Sequence, residues 1–270
     1  MKFIDMKTLF KRELTRVLKG RFFILSVVIG LIFAVWYSFS DVFKVIQPNE
    51  NGYTEIVAYH WLGASMYPVQ SFAFYMIAPL LASLAGSMDF YYERVGGAAK
   101  QFLIRTKKGE YYGTWLLVSF IAGGLSIVIP MAASILMSLL ALPFQNPETI
   151  SGFGVWVMDA GFNMYFENYG LYLFLYLLFD FVVGGGIAVF ASLLSYFSKL
   201  PFVHVLLPFA LSYAGFITVD PTVTVLNTAK TLCPGVYGTT PVNILVWLSG
   251  AIALCLIFIL VSVKGRKNSD

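Results

Sequence analysis

The stretch DFYYERVGGAAKQFLIRTKKGEYYG, Asp89 to Gly113, carries eight charged residues and is flanked on both sides by long apolar runs. That alternation decides the fold. Across all 270 residues only 12% are charged and 59% are hydrophobic, with a mean hydropathy of +0.78. Soluble domains carry about a quarter charged residues, so the composition is that of an integral membrane protein. The charged stretch then reads as an aqueous connection between two membrane spans.

Working outward from it, the apolar blocks run Phe22 to Phe43, Phe72 to Phe90, Gly113 to Leu142, Gly170 to Tyr196, Pro201 to Thr218 and Val242 to Val263. Most approach or exceed the ~20 residues a helix needs to cross ~30 Å of hydrocarbon. Lipid offers no partner for free backbone N–H and C=O groups, and no period-two alternation suggests a barrel. The expected fold is therefore all-α and polytopic, with six transmembrane helices in a single domain over 1–270. Residues 91–112 form an extramembrane segment after the second span.

Six spans put both termini on one side. That side collects sixteen of the 18 lysines and arginines, leaving Lys44 and Lys230 for the other. The bias places both ends in the cytoplasm of a cell membrane, most simply a bacterial plasma membrane. The basic balance, with pI near 8.9, thus reports topology and contact with anionic lipid and gives no reason to expect nucleic acid. Before the first span, Phe3, Met6, Phe10, Leu14 and Val17 recur at helical spacing with Lys7, Lys11, Arg12 and Lys19 off that face. Residues 1–21 are expected to form an amphipathic helix on the inner leaflet.

The chain carries no phosphate loop, no H-E-x-x-H, no G-x-S-x-G and no metal-ligand spacing. His60 and His204 fall on opposite sides of the membrane in this topology. Cys233 belongs to an outer loop and Cys255 to the middle of the last span, which disfavours a disulfide. No extramembrane segment is long enough for a nucleotide-binding domain. The chain is not expected to be an enzyme, and paired catalytic residues are missing from the spans. Its energy source must be a partner subunit or an ion gradient.

Within the opening stretch, Glu93 to Leu103 reads as a short half-apolar helix. Gly96 and Gly97 permit a bend or close backbone approach. Taken with PLLASLAGSM before it, and with Arg105, Lys107, Lys108, Tyr111 and Tyr112 after it, the segment resembles the coupling region of type-2 ATP-binding-cassette permeases. Glu93 and Gly97 hold the E-x-x-x-G positions, and LCPGVYG (Leu232 to Gly238) is similar to that family's outer apolar-Pro-aromatic element. Two departures are Gly113–Thr114, where the family has a lysine, and Thr106, where it has a proline. The resemblance implies a permease pairing with a second copy or a related chain, as a homodimer or heterodimer. Each permease would rest its coupling helix on a separately encoded ATPase, which would hold the ATP and magnesium. Glu93 and Gly97 would position the helix, and Gln101 and Arg105 would touch the ATPase. Export of an amphipathic or hydrophobic cargo, such as a peptide, lipid-linked molecule or drug, follows from the resemblance alone.

A second feature is Asp180. A carboxylate within a span costs ~2.5 to 3.5 kcal/mol on insertion scales, so it should not face lipid. On a helix, Asp180, Gly184, Ala188, Ala191 and Ser195 share one small, polar stripe. Two readings stand. Either Asp180 contacts substrate or carries a proton, as in an ion-coupled secondary transporter, or the stripe serves close helix packing. No internal repeat of the kind common in such transporters aligns within the chain. Pro79, Pro130 and Pro208 interrupt three spans and are expected to kink them. The aromatic stretch Asn146 to Asn168, with Trp156, Tyr165 and Phe166, suggests interfacial helices.

Overall fold

A computed structural model describes residues 6–45, 55–65, 67–104, 106, 108–147, 162–198, 200–217, 227 and 231–233, with 246, 249, 250, 253 and 256 as isolated positions. Among the described residues all regular structure is helical. The helices are α1 (Met6–Leu18), α2 (Arg21–Ser40), α3 (Val69–Val95), α4 (Ala98–Leu103), α5 (Lys108–Ala141), α6 (Phe162–Glu167), α7 (Tyr169–Phe197) and α8 (Val203–Ile217). Short 3-10 turns at Val42–Lys44 and Val57–Tyr59 complete them.

Four of these helices are long and apolar enough to cross a membrane: α2 with its following turn, α3, α5 and α7. They match the first four expected spans. The expected fifth span is α8, whose 15 residues rise only about 22 Å. The expected sixth span, Val242 to Val263, lies outside the described residues except at isolated positions, as do Trp156 and Cys255. Helices α3, α5 and α8 run through Pro79, Pro130 and Pro208 without ending.

α2 shows how the sequence sets the packing. Its buried residues are Phe23, Ser26, Gly30, Ala34, Tyr37 and Ser38, three or four apart on one stripe and mostly small. Its exposed residues are bulky and apolar: Ile24, Leu25, Val28, Ile32, Val35, Trp36 and Phe39. Small residues face protein and large apolar ones face outward, the arrangement favoured where the solvent is lipid and helices associate by close van der Waals fit. The same rule brings α3, α5 and α7 together at the centre. A Cβ added at Gly184 of α7 would stand 2.8 Å from Ile127 Cδ1 and 3.0 Å from the Gly123 carbonyl oxygen. One added at Gly86 of α3 would stand 2.8 Å from the Ser119 carbonyl oxygen and press on Ala188.

Serines join the helices where backbones approach. Ser119 donates to the Gly86 carbonyl at 2.8 Å, Ser192 donates to Ser119 at 2.9 Å, and Ser26 donates to the Leu81 carbonyl at 2.9 Å. Each satisfies a hydroxyl that lipid could not.

The core falls into two main clusters. One, at the end bearing Arg16, Arg94, Lys100 and Lys108 (the basic end), gathers Leu9, Val17, Phe23, Phe90, Ala99, Tyr111 and Trp115. The other, toward the opposite end, gathers Tyr37, Trp61, Leu62, Phe74, Tyr75, Ile127, Tyr169, Tyr172 and Tyr176. In the first, α1 differs from expectation. Its apolar face does not stay free for a leaflet, because Leu9 and Val17 are buried and α1 packs along α5. At the far end, residues 55–64 sink Ile56, Val57, Trp61 and Leu62 into the second cluster, so this connection acts as a plug between the ends of α2, α3 and α5.

Candidate functional site

The stretch 89–113 is divided by its glycines. α3 continues to Val95, well past the expected end of its span, and α4 starts at Ala98. Gly97, at φ +80°, lies in the left-handed region that only glycine adopts without strain, and it turns the chain from one helix into the next. The expected single helix from Glu93 to Leu103 is therefore two pieces with a fixed corner. α5 starts at Lys108, earlier than its expected span.

Glu93 is on the α3 side of that corner and is buried. Tyr111 of α5 donates to its Oε1 at 2.7 Å, and the Arg16 guanidinium of α1 pairs with its Oε2. Arg16 also stands 2.8 Å from Glu13 Oε2 and lies over the Trp115 ring, 5.3 Å from its centroid. One carboxylate thus ties three helices together. Burial raises the Glu13 carboxyl above its ordinary range, and neighbouring Glu93 adds to that while Arg16 opposes it.

Arg94 serves the opposite side of α3. Its guanidinium donates to the carbonyls of Ser195 and Tyr196, and to that of Ser198 at 2.9 Å. These are the orphan acceptors at the C-terminal end of α7, where a cation also complements the helix dipole. Between Glu93 and Arg94, the end of α3 is bolted to α1, α5 and α7.

α4 rests on this joint by one face. Ala99 is buried, Phe102 stacks on Tyr111 with centroids 6.3 Å apart, and Arg12 of α1 lies 4.9 Å over Phe102. Thr106, where a proline was expected from the resemblance, caps the end by donating its hydroxyl to the Phe102 carbonyl at 2.7 Å. The other face is open: Lys100, Gln101 and Ile104 are exposed, as are Tyr92 and Val95 in the last turn of α3. Arg105 lies outside the described residues. Glu93 and Gly97 are thus brought to one corner, and Gln101 faces away from the bundle.

Asp180 occupies a different place, in the middle of α7. It is fully buried, and neither carboxylate oxygen has a hydrogen-bond partner among the described residues. Gly184 and Ala188 from its stripe pack against Gly123 and Gly86, and Ser195 donates to the Ser192 carbonyl at 2.7 Å within its own helix. The stripe is a close helix–helix contact, and Gly184 and Ala188 are occupied by packing. Tyr176 precedes Asp180 by one turn of α7 and is buried with it. Tyr176 donates to the Thr231 carbonyl at 3.3 Å, whereas the buried Tyr75 hydroxyl has no hydrogen-bond partner among the described residues.

The two histidines are well apart. His204 packs against Tyr91 with tilted rings, 4.9 Å between centroids, toward the basic end. His60 belongs to the plug and bridges Asp41 Oδ2 and Glu55 Oε2, each at 2.9 Å. Burial works against its charged form, but the bonds to both carboxylates outweigh burial and raise its pKa above the ordinary value. Among the described residues no group of three or more His, Cys, Asp or Glu side chains is arranged to hold a metal.

Sequence reasoning missed Arg16, Tyr111 and Arg94 as partners of this site, since their contacts reach across 77, 18 and about 100 positions. Only the helical spacing of α1 hinted that one of its faces was spoken for. No protein-family model, no curated protein and no solved structure matches this chain.

Proposed function

We propose that the chain is the membrane-spanning permease subunit of an ATP-driven transporter of the ATP-binding-cassette type. In this reading it spans a cell membrane six times with both termini in the cytoplasm and works in a pair with a second permease. Its substrate is an amphipathic or hydrophobic cargo, which it exports. ATP is bound and hydrolysed on a separate partner subunit.

The observation that carries the reading is the form of α4. It is a short helix at the basic end, seated on the bundle by Ala99 and Phe102, with Lys100, Gln101 and Ile104 turned outward. Gly97 fixes its angle to α3, and Glu93 and Arg94 fasten α3 to three other helices. A force applied to the outer face of α4 is passed to rigid elements with no slack loop between them. That is what coupling a separate motor to a membrane path requires. A loop that merely obeyed the positive-inside rule would need neither the left-handed corner nor a buried carboxylate beneath it.

The reading is tested by extracting the full-length chain from its native membrane in mild detergent and identifying what copurifies. An ATPase bearing a phosphate loop is expected in stoichiometric amount. Its retention should fall at least tenfold in a Lys100→Glu, Gln101→Glu variant that still inserts and folds. A chain that purifies alone, or a complex indifferent to that variant, overturns the assignment.

A further inference from the structure

The arginines among the described residues divide by what holds them. Arg16 pairs with Glu13 and Glu93, and Arg94 is spent on the carbonyls that end α7. Arg12 and Arg21 are exposed, and among the described residues neither makes an ion pair or a hydrogen bond. Arg21 is the one at the foot of a candidate span, as the first residue of α2. Its guanidinium carbon lies 4.8 Å from the centroid of the Phe22 ring and 5.7 Å from that of Tyr92. Those two rings are themselves stacked, 5.5 Å apart and 5° from parallel. Tyr92 comes from α3 and is exposed, so the platform is built by two helices and is open to the surroundings. A guanidinium resting on ring faces is held in one orientation, and its N–H fork stays free for a planar anionic acceptor such as a phosphate. Asp89 Oδ2 lies against Gly20, at the bend before α2, but no ion pair joins it to Arg21. Lys19, exposed on the same bend, adds a second cation.

The face of α2 above Arg21 is apolar. Leu25, Val28 and Ile32 follow it at intervals of four, three and four residues, which keeps them on one side of the helix, and all three are exposed. From Arg21 to Ile32 the helix rises about 16 Å, roughly half of the ~30 Å hydrocarbon core. That is the depth of one leaflet. We propose that this face of α2 holds one anionic phospholipid of the leaflet at the basic end, with its phosphate on Arg21 and an acyl chain along Leu25, Val28 and Ile32. Net negative charge is selected because both free groups at the bend, Arg21 and Lys19, are cations. The site needs only α2 and α3 to cross a membrane, so it stands whether or not an ATPase drives the protein.

The test titrates the full-length protein, purified in mild detergent with whatever subunits it carries, with dioleoylphosphatidylglycerol or dioleoylphosphatidylcholine and counts bound lipid by native mass spectrometry. One phosphatidylglycerol per chain should be retained, at least tenfold more tightly than phosphatidylcholine, and millimolar inorganic phosphate should not displace it. Arg21→Gln should abolish the preference, and Lys7→Gln, which removes an exposed cation elsewhere on the basic end, should preserve it. Tyr92→Leu keeps the charge and removes the ring on α3; it should weaken phosphatidylglycerol at least threefold, and it carries the test if Arg21→Gln does not insert. Equal retention of the two lipids, or none because a second copy of the chain covers α2, overturns the proposal. So does displacement by inorganic phosphate, which would make the ligand a soluble anion, or an equal loss in Lys7→Gln, which would make the attraction diffuse.

Discussion

Glu93 holds two partners of unequal need, and this fixes what its replacement should do. Arg16 is 40% exposed and can return to water, whereas the Tyr111 hydroxyl is buried and would be left without an acceptor. Glu93→Gln, which keeps an acceptor for Tyr111, is expected to cost less than ~1 kcal/mol of stability, in line with a half-exposed ion pair. Glu93→Ala should cost about 1–3 kcal/mol, most of it the stranded hydroxyl. Adding Tyr111→Phe to Glu93→Ala should recover part of that loss, a non-additivity read from thermal unfolding of the four variants. His60 makes a second prediction, in pH. Its folded pKa lies above the unfolded value of 6.5, so its bonds to Asp41 and Glu55 contribute full stability below about pH 6.5 and lose it as pH rises through the folded pKa. Wild type should therefore exceed His60→Gln in melting temperature at pH 6, and the gap should close toward pH 9. A gap that widens with pH would mean that His60 is held neutral.

At the scale of the element, the corner between α3 and α4 is a backbone device. An added Cβ at Gly97 meets nothing within 4 Å, so replacing it costs only the left-handed conformation, about 1–2 kcal/mol. Gly97→Ala should thus leave insertion intact, misalign α4 and reduce ATPase stimulation, and Gly97→Trp should abolish it. Normal stimulation in both variants would show that the corner is not needed. Glycines in the bundle act by a different cause. At Gly184 and Gly86 the space is already filled, and Gly184→Leu should prevent folding, seen as loss of the monodisperse species in detergent. The sequence made some of this legible and hid the rest. Continuous apolar runs announced α2, α3, α5 and α7 within a few residues, because lipid leaves a chain no alternative to helix. Paired glycines marked the corner. What periodicity could not convey was which helix each polar side chain meets: Arg16 with Glu93, or Arg94 with the end of α7, are decided by three-dimensional packing over long separations. The same holds for α1, whose amphipathic pattern fits an apolar leaflet and an apolar helix α5 equally well.

For the molecule as a whole, charge and architecture make one joint statement about sides. The basic end carries α1, the joint and α4, and the far end carries the plug with His60 and the exposed Tyr67. In a background with Cys233 and Cys255 replaced by serine, Tyr67→Cys should react with a membrane-impermeant maleimide in intact cells. Gln101→Cys should react only after the membrane is opened, and equal labelling of both would refute the proposed orientation. The central claim, that force enters through α4 from a nucleotide-hydrolysing neighbour, is tested most directly by a photoreactive amino acid placed at Gln101 in the full-length protein in its native membrane. The account predicts an ultraviolet-dependent adduct between this chain and an ATPase carrying a phosphate loop, absent when the same group is placed at Tyr67. An adduct formed only with lipid or with another copy of this chain, in membranes where transport is active, would contradict it.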